Sequence, residues 1–284
     1  MRLRDRRVVV TGLGAVTPLG LTVDELWSGL LEGRSGIGPI PLFDASELAV
    51  RFAGEVRGFD PERYIERREA RRMDRYAQLF YASTAQALAD AGIDYSGDPD
   101  AGLRSGVVLG GGLGGITSVQ RSIDVMRSKG PERMSPYTIT QIIPNMAAGD
   151  VSIGFNLLGP VTCTVTACAA SANAIGDAAE MIRRGIADVM VAGGVEAPIC
   201  EYAVAGFAQA KALSTRNDDP SGASRPFDAE RDGFVMAEGA VTLTLEEREH
   251  ALARGATIHA EVMGYGMSSD AYHITLPRPG GSGA

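Results

Sequence analysis

Residues 159–185 read GPVTCTVTACAASANAIGDAAEMIRRG, and this stretch predicts a strand that runs directly into a helix. Apolar residues alternate with threonines from Val161 to Ala167, which is the period-two pattern of a strand that follows a Gly-Pro turn. After Cys168, small and apolar residues recur at helical spacing as far as Ile182, and two arginines and a glycine then suit a helix end. We therefore expect Cys168 to lie where a buried strand becomes a helix.

This predicted position would give Cys168 the environment of a nucleophile. The first turn of a helix has free backbone N–H groups and a partial positive charge, and both favour a thiolate over a thiol. Small neighbouring residues leave room for a substrate to reach the sulfur. The local pattern also allows a buried structural cysteine, which is a common fate of free cysteine. Cys163, inside the strand, and Cys200, after an apolar run, are expected to pack in the core.

The bulk composition indicates a globular α/β protein. The 284 residues are 45% hydrophobic and 22% charged, which is enough for one large domain or two. A net charge of −8 argues against a nucleic-acid partner. The three cysteines form no disulfide framework, and no CxxC or HxxxH spacing predicts a metal site. Without a signal peptide or an apolar run of membrane-spanning length, we expect a cytoplasmic protein that does not contact the membrane.

Other segments have clear secondary-structure patterns. Residues 8–10 form an apolar run that ends at a glycine, as a buried parallel strand would. Residues 188–192 predict another buried strand, 239–246 predict a strand by alternation, and 258–265 start one more. Residues 22–33 predict a helix that begins after a capping threonine, with a glutamate completing a capping box.

A glycine-rich segment follows the predicted strand 107–109. Gly110, Gly112 and Gly115 match the GxGxxG spacing of a dinucleotide-binding loop. No acidic residue stands about 20 residues further on at the end of a second strand, so nucleotide binding has little support. Close approach of this backbone to a buried neighbour is the favoured interpretation. Glu196, directly after the predicted strand 188–192, is interpreted as a helix-start or loop carboxylate.

Arginines recur at spacings of three and four in residues 63–75, so that several are expected to share one helix face. They are Arg63, Arg67, Arg68, Arg71, Arg72 and Arg75. The pattern fits a solvated helix face, and it also fits a docking patch for an acidic partner.

Four long motifs carry a resemblance to a known family. They are VTACAAS (165–171), ADVMVAGGVEAPI (187–199), ALSTRNDDPSGASRPFDAERDGFVMAEGA (212–240) and GYGMSSDAYHIT (264–275). In this order they resemble the β-ketoacyl-acyl-carrier-protein synthases, above all the elongating enzymes of type II fatty-acid synthesis. The resemblance begins at residue 8 and continues to the last residue. It implies the thiolase-like α/β fold with α-β-α-β-α layers, in which residues 1–256 form the N-terminal half and residues 257–284 start the C-terminal half.

The resemblance also implies roles for individual residues. Cys168 matches the acyl-accepting nucleophile, Ile116 and Phe207 match acyl-pocket positions, and Thr275 matches a residue that hydrogen-bonds the pantetheine arm. The residues that match the patch for the acyl carrier protein are Arg68, Arg71, Arg72, Arg133 and Lys211. No resident cofactor is implied, because the phosphopantetheine arm arrives on the carrier.

The implied activity is that of an acyltransferase. An acyl group moves from its carrier to Cys168, and decarboxylative condensation with malonyl-carrier then gives a 3-oxoacyl-carrier. The resemblance implies a homodimer whose interface and chain pocket involve residues 132–149. The two catalytic histidines of the family lie in motifs that this sequence does not contain, and His273 is not one of them. We therefore expect a truncated chain whose condensation is severely impaired.

Other functions stay open at this point. One is a non-catalytic fragment that binds a carrier or dimerises, and another is a polyketide-type ketosynthase. A thiolase that uses CoA shares the fold, but the segments RDGFVMAEGA and SSDAYHIT favour the carrier-dependent family.

Overall fold

The computed structural model describes residues 6–283, and six of its strands form one mixed sheet with helices on both faces. The strands are β1 (Val8–Val16), β2 (Ile37–Pro39), β3 (Phe52–Gly54), β4 (Ser105–Gly110), β5 (Val161–Thr164), β6 (Val189–Glu196), β7 (Gly239–Glu247) and β8 (Ala260–Glu261). The helices are α1 (Val23–Leu31), α2 (Arg67–Ala70), α3 (Arg75–Asp90), α4 (Ile116–Lys129), α5 (Thr138–Ile142), α6 (Met146–Gly154), α7 (Ala170–Arg183), α8 (Glu201–Gln209) and α9 (Arg248–Ala253).

The main sheet has the strand order β5-β4-β6-β7-β1-β8, and β2 and β3 pair separately. Strand β4 is parallel to both β5 and β6, whereas β7 is antiparallel to β6 and to β1. The expectation of a parallel strand at residues 8–10 was wrong, because both neighbours of β1 are antiparallel to it. An apolar run indicates only that both faces of a strand are buried. Helices can cover both faces whether the neighbouring strands are parallel or antiparallel, so the run does not predict strand direction.

The core lies on both faces of the sheet. On one face, α3 packs on β1 and β7 and α6 packs on β4, and the cluster that they form includes Phe80, Val151 and Leu109. On the other face, α7 buries Ile182 against Met190 of β6. The helix–sheet–helix arrangement confirms the α/β class and supplies three successive layers of the expected architecture.

The strand that precedes the nucleophile candidate differs from its prediction. β5 is the outermost strand of the sheet, and Val161 is 41% exposed. Cys163 is therefore half-buried rather than enclosed, although it packs against the cluster formed by α3 and α6. Alternation shows that a strand has two different faces, but it does not show whether a second strand covers its edge. Cys200 is buried, as predicted.

Local signals predicted the first helix well and the last strand poorly. In α1, the Glu25 N–H donates to Thr22 Oγ1 (3.2 Å), which confirms the threonine as the helix cap. The strand expected over 258–265 is only the two-residue β8, which pairs with Val9 and Val10 of β1. Residues after 256 thus extend the same sheet, and the domain boundary at 256 stays a prediction.

Candidate active site

The candidate nucleophile lies in a tight turn between a strand and a helix. β5 ends at Thr164, residues Ala167–Ala169 form one 3-10 turn, and α7 begins at Ala170. Cys168 is the middle residue of that turn and is exposed. The predicted junction is confirmed, and the exposure contradicts the alternative of a buried structural cysteine.

The backbone of this turn leaves one donor beside the thiol. The Ala169 N–H donates to Thr166 O (3.2 Å), and the Ala170 N–H donates to Ala167 O. No acceptor among residues 6–283 takes the N–H of Cys168 itself. Ala167 has a φ of +51°, and this left-handed conformation costs a residue with a Cβ about 1 kcal/mol. The surrounding structure must therefore hold the turn in place.

Glycines on two strands allow the first turn of α7 to approach the sheet. A Cβ on Gly110 of β4 would lie 2.3 Å from Ala170 O, and a Cβ on Gly194 of β6 would lie 1.7 Å from Ser171 Oγ. Any side chain at these two positions would push the helix start away from the strand ends. The prediction that the glycine-rich segment serves a close backbone approach is confirmed at Gly110.

Glu196, the last residue of β6, tethers the loop after β4, which lies beside the nucleophile turn. Its Oε1 accepts hydrogen bonds from the N–H groups of Gly112 and Leu113, the latter at 3.0 Å. A Cβ on Gly112 would lie 3.0 Å from Glu196 Oε1 and 4.0 Å from Ala167 Cα. Burial raises the pKa of Glu196, and the two backbone donors partly offset that effect. The sequence indicated a loop carboxylate here but did not indicate its neighbours.

A network of polar side chains flanks the same turn. Thr164 Oγ1 donates to Asp177 Oδ2 (3.1 Å), and Thr166 Oγ1 donates to Asn173 Oδ1 (2.5 Å). Asn173 Nδ2 donates to the hydroxyl oxygen of Tyr265 (2.8 Å), and that hydroxyl donates to Asp177 Oδ1 (3.2 Å). The spacing of four between Asn173 and Asp177 could have indicated a shared helix face. No local signal could have indicated Tyr265.

The two predicted acyl-pocket residues meet at a different apolar cluster. Ile116 and Phe207 both pack against the buried cluster that includes Ile199 and Val204, and Phe207 contacts the ring of Phe234 edge-on with centroids 5.6 Å apart. Ile116 also lines a groove of about 840 Å³ between α4 and α8. Cys168 is not a member of this cluster.

The three histidines and Thr275 make their hydrogen bonds outside the nucleophile turn. His250 Nδ1 is 2.8 Å from Glu246 Oε2, and His259 Nε2 is 3.0 Å from Asp90 Oδ2. The exposed Thr275 donates its N–H to His273 Nδ1 (3.1 Å). Within residues 6–283, no three His, Cys, Asp or Glu side chains converge as metal ligands. None of the helices in this range is long and apolar enough to cross a bilayer.

The arginine-rich segment does not present one helix face. Helix α2 ends at Ala70, and Arg75 begins α3 with its guanidinium paired to the buried Glu238. Arg72 is half-buried, because it pairs with Glu69 (2.8 Å) and lies 5.1 Å from the ring centroid of Tyr137. The spacing rule failed because the chain bends between the two helices.

The exposed cations of the predicted carrier patch lie on three segments. Arg68 and Arg71 are exposed on and just after α2, Arg133 is exposed after α4, and Lys211 is exposed after α8. Within the part of the chain that the structure describes, these four side chains form no ion pair. Of the five predicted patch residues, Arg72 differs in that its guanidinium contacts the described side chains of Glu69 and Tyr137.

The sequence matches the family described as the N-terminal domain of β-ketoacyl synthase over residues 5–251. A relative named 3-oxoacyl-[acyl-carrier-protein] synthase 2, from Synechocystis sp., is 51% identical over 285 residues, covering 99% of this chain and 67% of the relative. Another relative of the same name, from Vibrio cholerae, is 49% identical over 281 residues with the same coverage.

Solved structures show the same fold. The crystal structure of a β-ketoacyl synthase from Burkholderia phymatum has a TM-score of 0.87 and 41% identity, covering 96% of this chain and 66% of that protein. A type II PKS acyl-carrier protein in complex with its ketosynthase has a TM-score of 0.81 and 33% identity, covering 96% and 65%. The chain therefore spans about two thirds of the length of these relatives.

Proposed function

The chain belongs to the β-ketoacyl synthase family, and we propose that Cys168 is the acyl-accepting nucleophile of an elongating 3-oxoacyl-acyl-carrier-protein synthase. The observation that carries this proposal is an exposed thiol in the turn that opens the 14-residue helix α7, with its own N–H group unengaged among the described residues. Identity of 51% to the fatty-acid-type synthase, against 33% to the polyketide-type ketosynthase, favours fatty-acid elongation.

The first half-reaction is acyl transfer to the thiol. The thiolate form of Cys168 attacks the carbonyl carbon of the acyl thioester on the carrier. The developing oxyanion accepts a hydrogen bond from the N–H of Cys168. The bond to the pantetheine sulfur then breaks, that sulfur takes a proton, and the acyl group remains on Cys168.

The second half-reaction is condensation. Malonyl-carrier loses CO₂, its carbanion attacks the acyl-enzyme, and the product leaves as a 3-oxoacyl-carrier with release of the Cys168 thiolate. In the family, two histidines polarise the malonyl thioester as its enolate forms, and their motifs are not in this sequence. Removal of even one such donor typically costs about 10²–10³ in rate, so this chain by itself acylates Cys168 and condenses poorly.

An acyl carrier protein is the proposed partner. Support comes from the exposed Arg68, Arg71 and Arg133 on a protein of net charge −8, since local positive charge attracts an acidic partner. It also comes from the relative that was solved as a complex with its carrier. Thr275 would then bind the pantetheine arm, and Ile116 and Phe207 would line the acyl chain.

A homodimer built on β5 is proposed as the assembly. β5 pairs with β4 alone among the described residues, so that its outer edge has unpaired backbone groups. Val165, just after β5, is 56% exposed, and Ile153 of α6, a helix that contacts β5, is 84% exposed, which leaves apolar surface for a second copy to cover. A reducing cytoplasm is the proposed location, since an exposed nucleophilic thiol must stay reduced.

The test follows labelled acyl groups on the chain. Incubated with labelled acyl-carrier, the wild-type chain should retain label through a thioester, and Cys168→Ala should retain none. Cys163→Ala is the matched control, because it removes a neighbouring thiol of β5 and should leave labelling unchanged. Added malonyl-carrier should give little 3-oxoacyl-carrier. Equal labelling of wild type and Cys168→Ala would refute the proposal.

A further inference from the structure

Tyr265 lies outside the nucleophile turn and outside the secondary-structure elements, yet its hydroxyl bonds Asn173 and Asp177 of α7, the two side chains that accept hydrogen bonds from threonines before the turn. We propose that Tyr265 is a positioning residue for Cys168, through a hydrogen-bonded network that holds the end of β5 against the start of α7. This inference rests on the proposed function only in the role that it gives to Cys168.

The network forms a closed set of donors and acceptors. The Tyr265 hydroxyl accepts from Asn173 Nδ2 (2.8 Å) and donates to Asp177 Oδ1 (3.2 Å). The remaining oxygens of these two side chains accept from the hydroxyls of Thr166 and Thr164. Both threonines precede Cys168 and both partners follow it, so the network ties the two sides of the turn together.

Packing holds the tyrosine over the helix. A Cβ on Gly176 would lie 2.2 Å from two ring carbons of Tyr265, so the ring rests directly on the backbone of α7. Further along the same helix, Arg183 Nη2 donates to Val262 O (2.6 Å). The segment after β8 therefore runs along α7 toward the nucleophile turn and places the Tyr265 hydroxyl beside Asn173 and Asp177.

The turn needs such support because its backbone is strained. Ala167 has a φ of +51°, a conformation that a residue with a Cβ leaves readily when its neighbours allow it. If Thr166 lost its anchor at Asn173, the turn could relax and move Cys168 away from the free N–H groups of the helix start. The reactivity of the thiol should then fall even though the fold is kept.

The experiment measures the alkylation of Cys168 by iodoacetamide across a range of pH in the 284-residue chain. Tyr265→Phe removes only the hydroxyl, and we expect the rate at neutral pH to fall about three- to tenfold, as for the loss of one or two hydrogen bonds.

Tyr95→Phe is the matched control. Its hydroxyl also bonds a side chain, Ser105 Oγ at 2.7 Å, but Ser105 begins β4 and so lies at the end of the strand remote from Thr164. Both tyrosines are half-buried, so a general loss of stability should be similar in the two variants. Only Tyr265→Phe should change the alkylation profile.

Two further pairs of variants test whether the hydrogen-bonded network and the packing of the tyrosine ring carry the effect on Cys168. Thr166→Val should reproduce the change, and Thr166→Ser, which keeps the hydroxyl, should restore the wild-type profile. Gly176→Ala should displace the tyrosine ring and slow alkylation, whereas Gly206→Ala in α8, where a Cβ meets nothing within 4 Å, should not.

The same profile for Tyr265→Phe and Tyr95→Phe in folded protein would overturn the inference. Alkylation reports on the thiol whether or not it accepts an acyl group. Failure of acyl transfer from the carrier would therefore refute the proposed function and leave the comparison of the tyrosine variants intact.

Discussion

The three cysteines of this chain differ through their surroundings. Burial raises the pKa of the Cys163 and Cys200 thiols, and Glu196 adds to the effect at Cys163. Cys168 is exposed in the turn that opens α7. The thiols of Cys163 and Cys200 are therefore held in the protonated form, whereas the thiol of Cys168 is accessible from outside.

Glu246 is a fully buried carboxylate that is matched by several donors. Arg254 and His250 contact its oxygens, and Thr11 donates to Oε1. Burial opposes its ionisation, but these hydrogen bonds outweigh burial and lower the pKa of Glu246 from 4.5 to about 2. The side chain ties the end of β7 to β1 and α9, at the end of the sheet where β6 begins and the nucleophile turn does not lie.

This carboxylate predicts a loss of stability in acid. Since its folded-state pKa is below the unfolded value, its contribution is complete above pH 4.5 and is lost as the pH falls to about 2. The shift corresponds to about 3 kcal/mol in the free energy of unfolding. Urea unfolding of wild type and Glu246→Gln over this range should show a shallower pH dependence in the variant. Parallel curves would contradict the prediction, because other carboxylates contribute equally to both proteins.

At the level of elements, α7 shows how a helix is fitted to a sheet. Glycines of β4 and β6 admit its first turn, Gly176 admits the Tyr265 ring, and small residues such as Ala174 and Ala178 pack on the strands. Small side chains allow the close contact that brings a helix start to the ends of parallel strands. The position of Cys168 thus depends on residues that carry no chemistry themselves.

The free edge of β5 makes a prediction about assembly. Wild-type chain should sediment as a dimer, and Val161→Lys should shift it to monomer, because an edge lysine disfavours strand pairing between copies. Leu31→Lys is the matched control, since Leu31 is 71% exposed on α1, and α1 packs on β1, four strands away from β5. A wild-type monomer, or a dimer that persists in Val161→Lys, would argue for another interface.

For the binding of a charged partner to the whole molecule, the distribution of charge over the surface matters more than the net charge. The chain carries a net charge of −8, yet Arg68 and Arg71 are exposed without ion pairs in the described part of the chain. A local cluster of positive charge can attract an acidic partner while the rest of the surface repels it. This arrangement favours docking in one orientation.

Charge reversal at these arginines should therefore affect acylation from the carrier more than acylation from a small thioester. Combined Arg68→Glu and Arg71→Glu should slow acylation of Cys168 from the carrier by about tenfold or more, and added salt should reduce the difference from wild type. Acylation from a small thioester should be nearly unchanged. The control is Arg184→Glu, an exposed arginine at the far end of α7. Equal losses with both substrates would exclude a docking role.

The sequence by itself determined the local features of the site. Period-two alternation followed by helical spacing placed Cys168 at the junction of β5 and α7, and the GxGxxG pattern without its acidic partner indicated close backbone approach. The alternation at residues 239–246 located β7. These signals arise between residues that are near in the chain, where backbone geometry links spacing directly to structure.

Only the tertiary structure decided which elements meet. It placed β5 at an edge, gave β1 antiparallel neighbours, and brought Tyr265 to Asn173 and Glu196 to the loop after β4. No periodicity records such contacts, because they depend on strand order and on packing between residues far apart in the chain. The local sequence pattern predicted the turn that contains Cys168. The side chains that hold this turn in place could be identified only from the tertiary structure, because they come from distant parts of the chain.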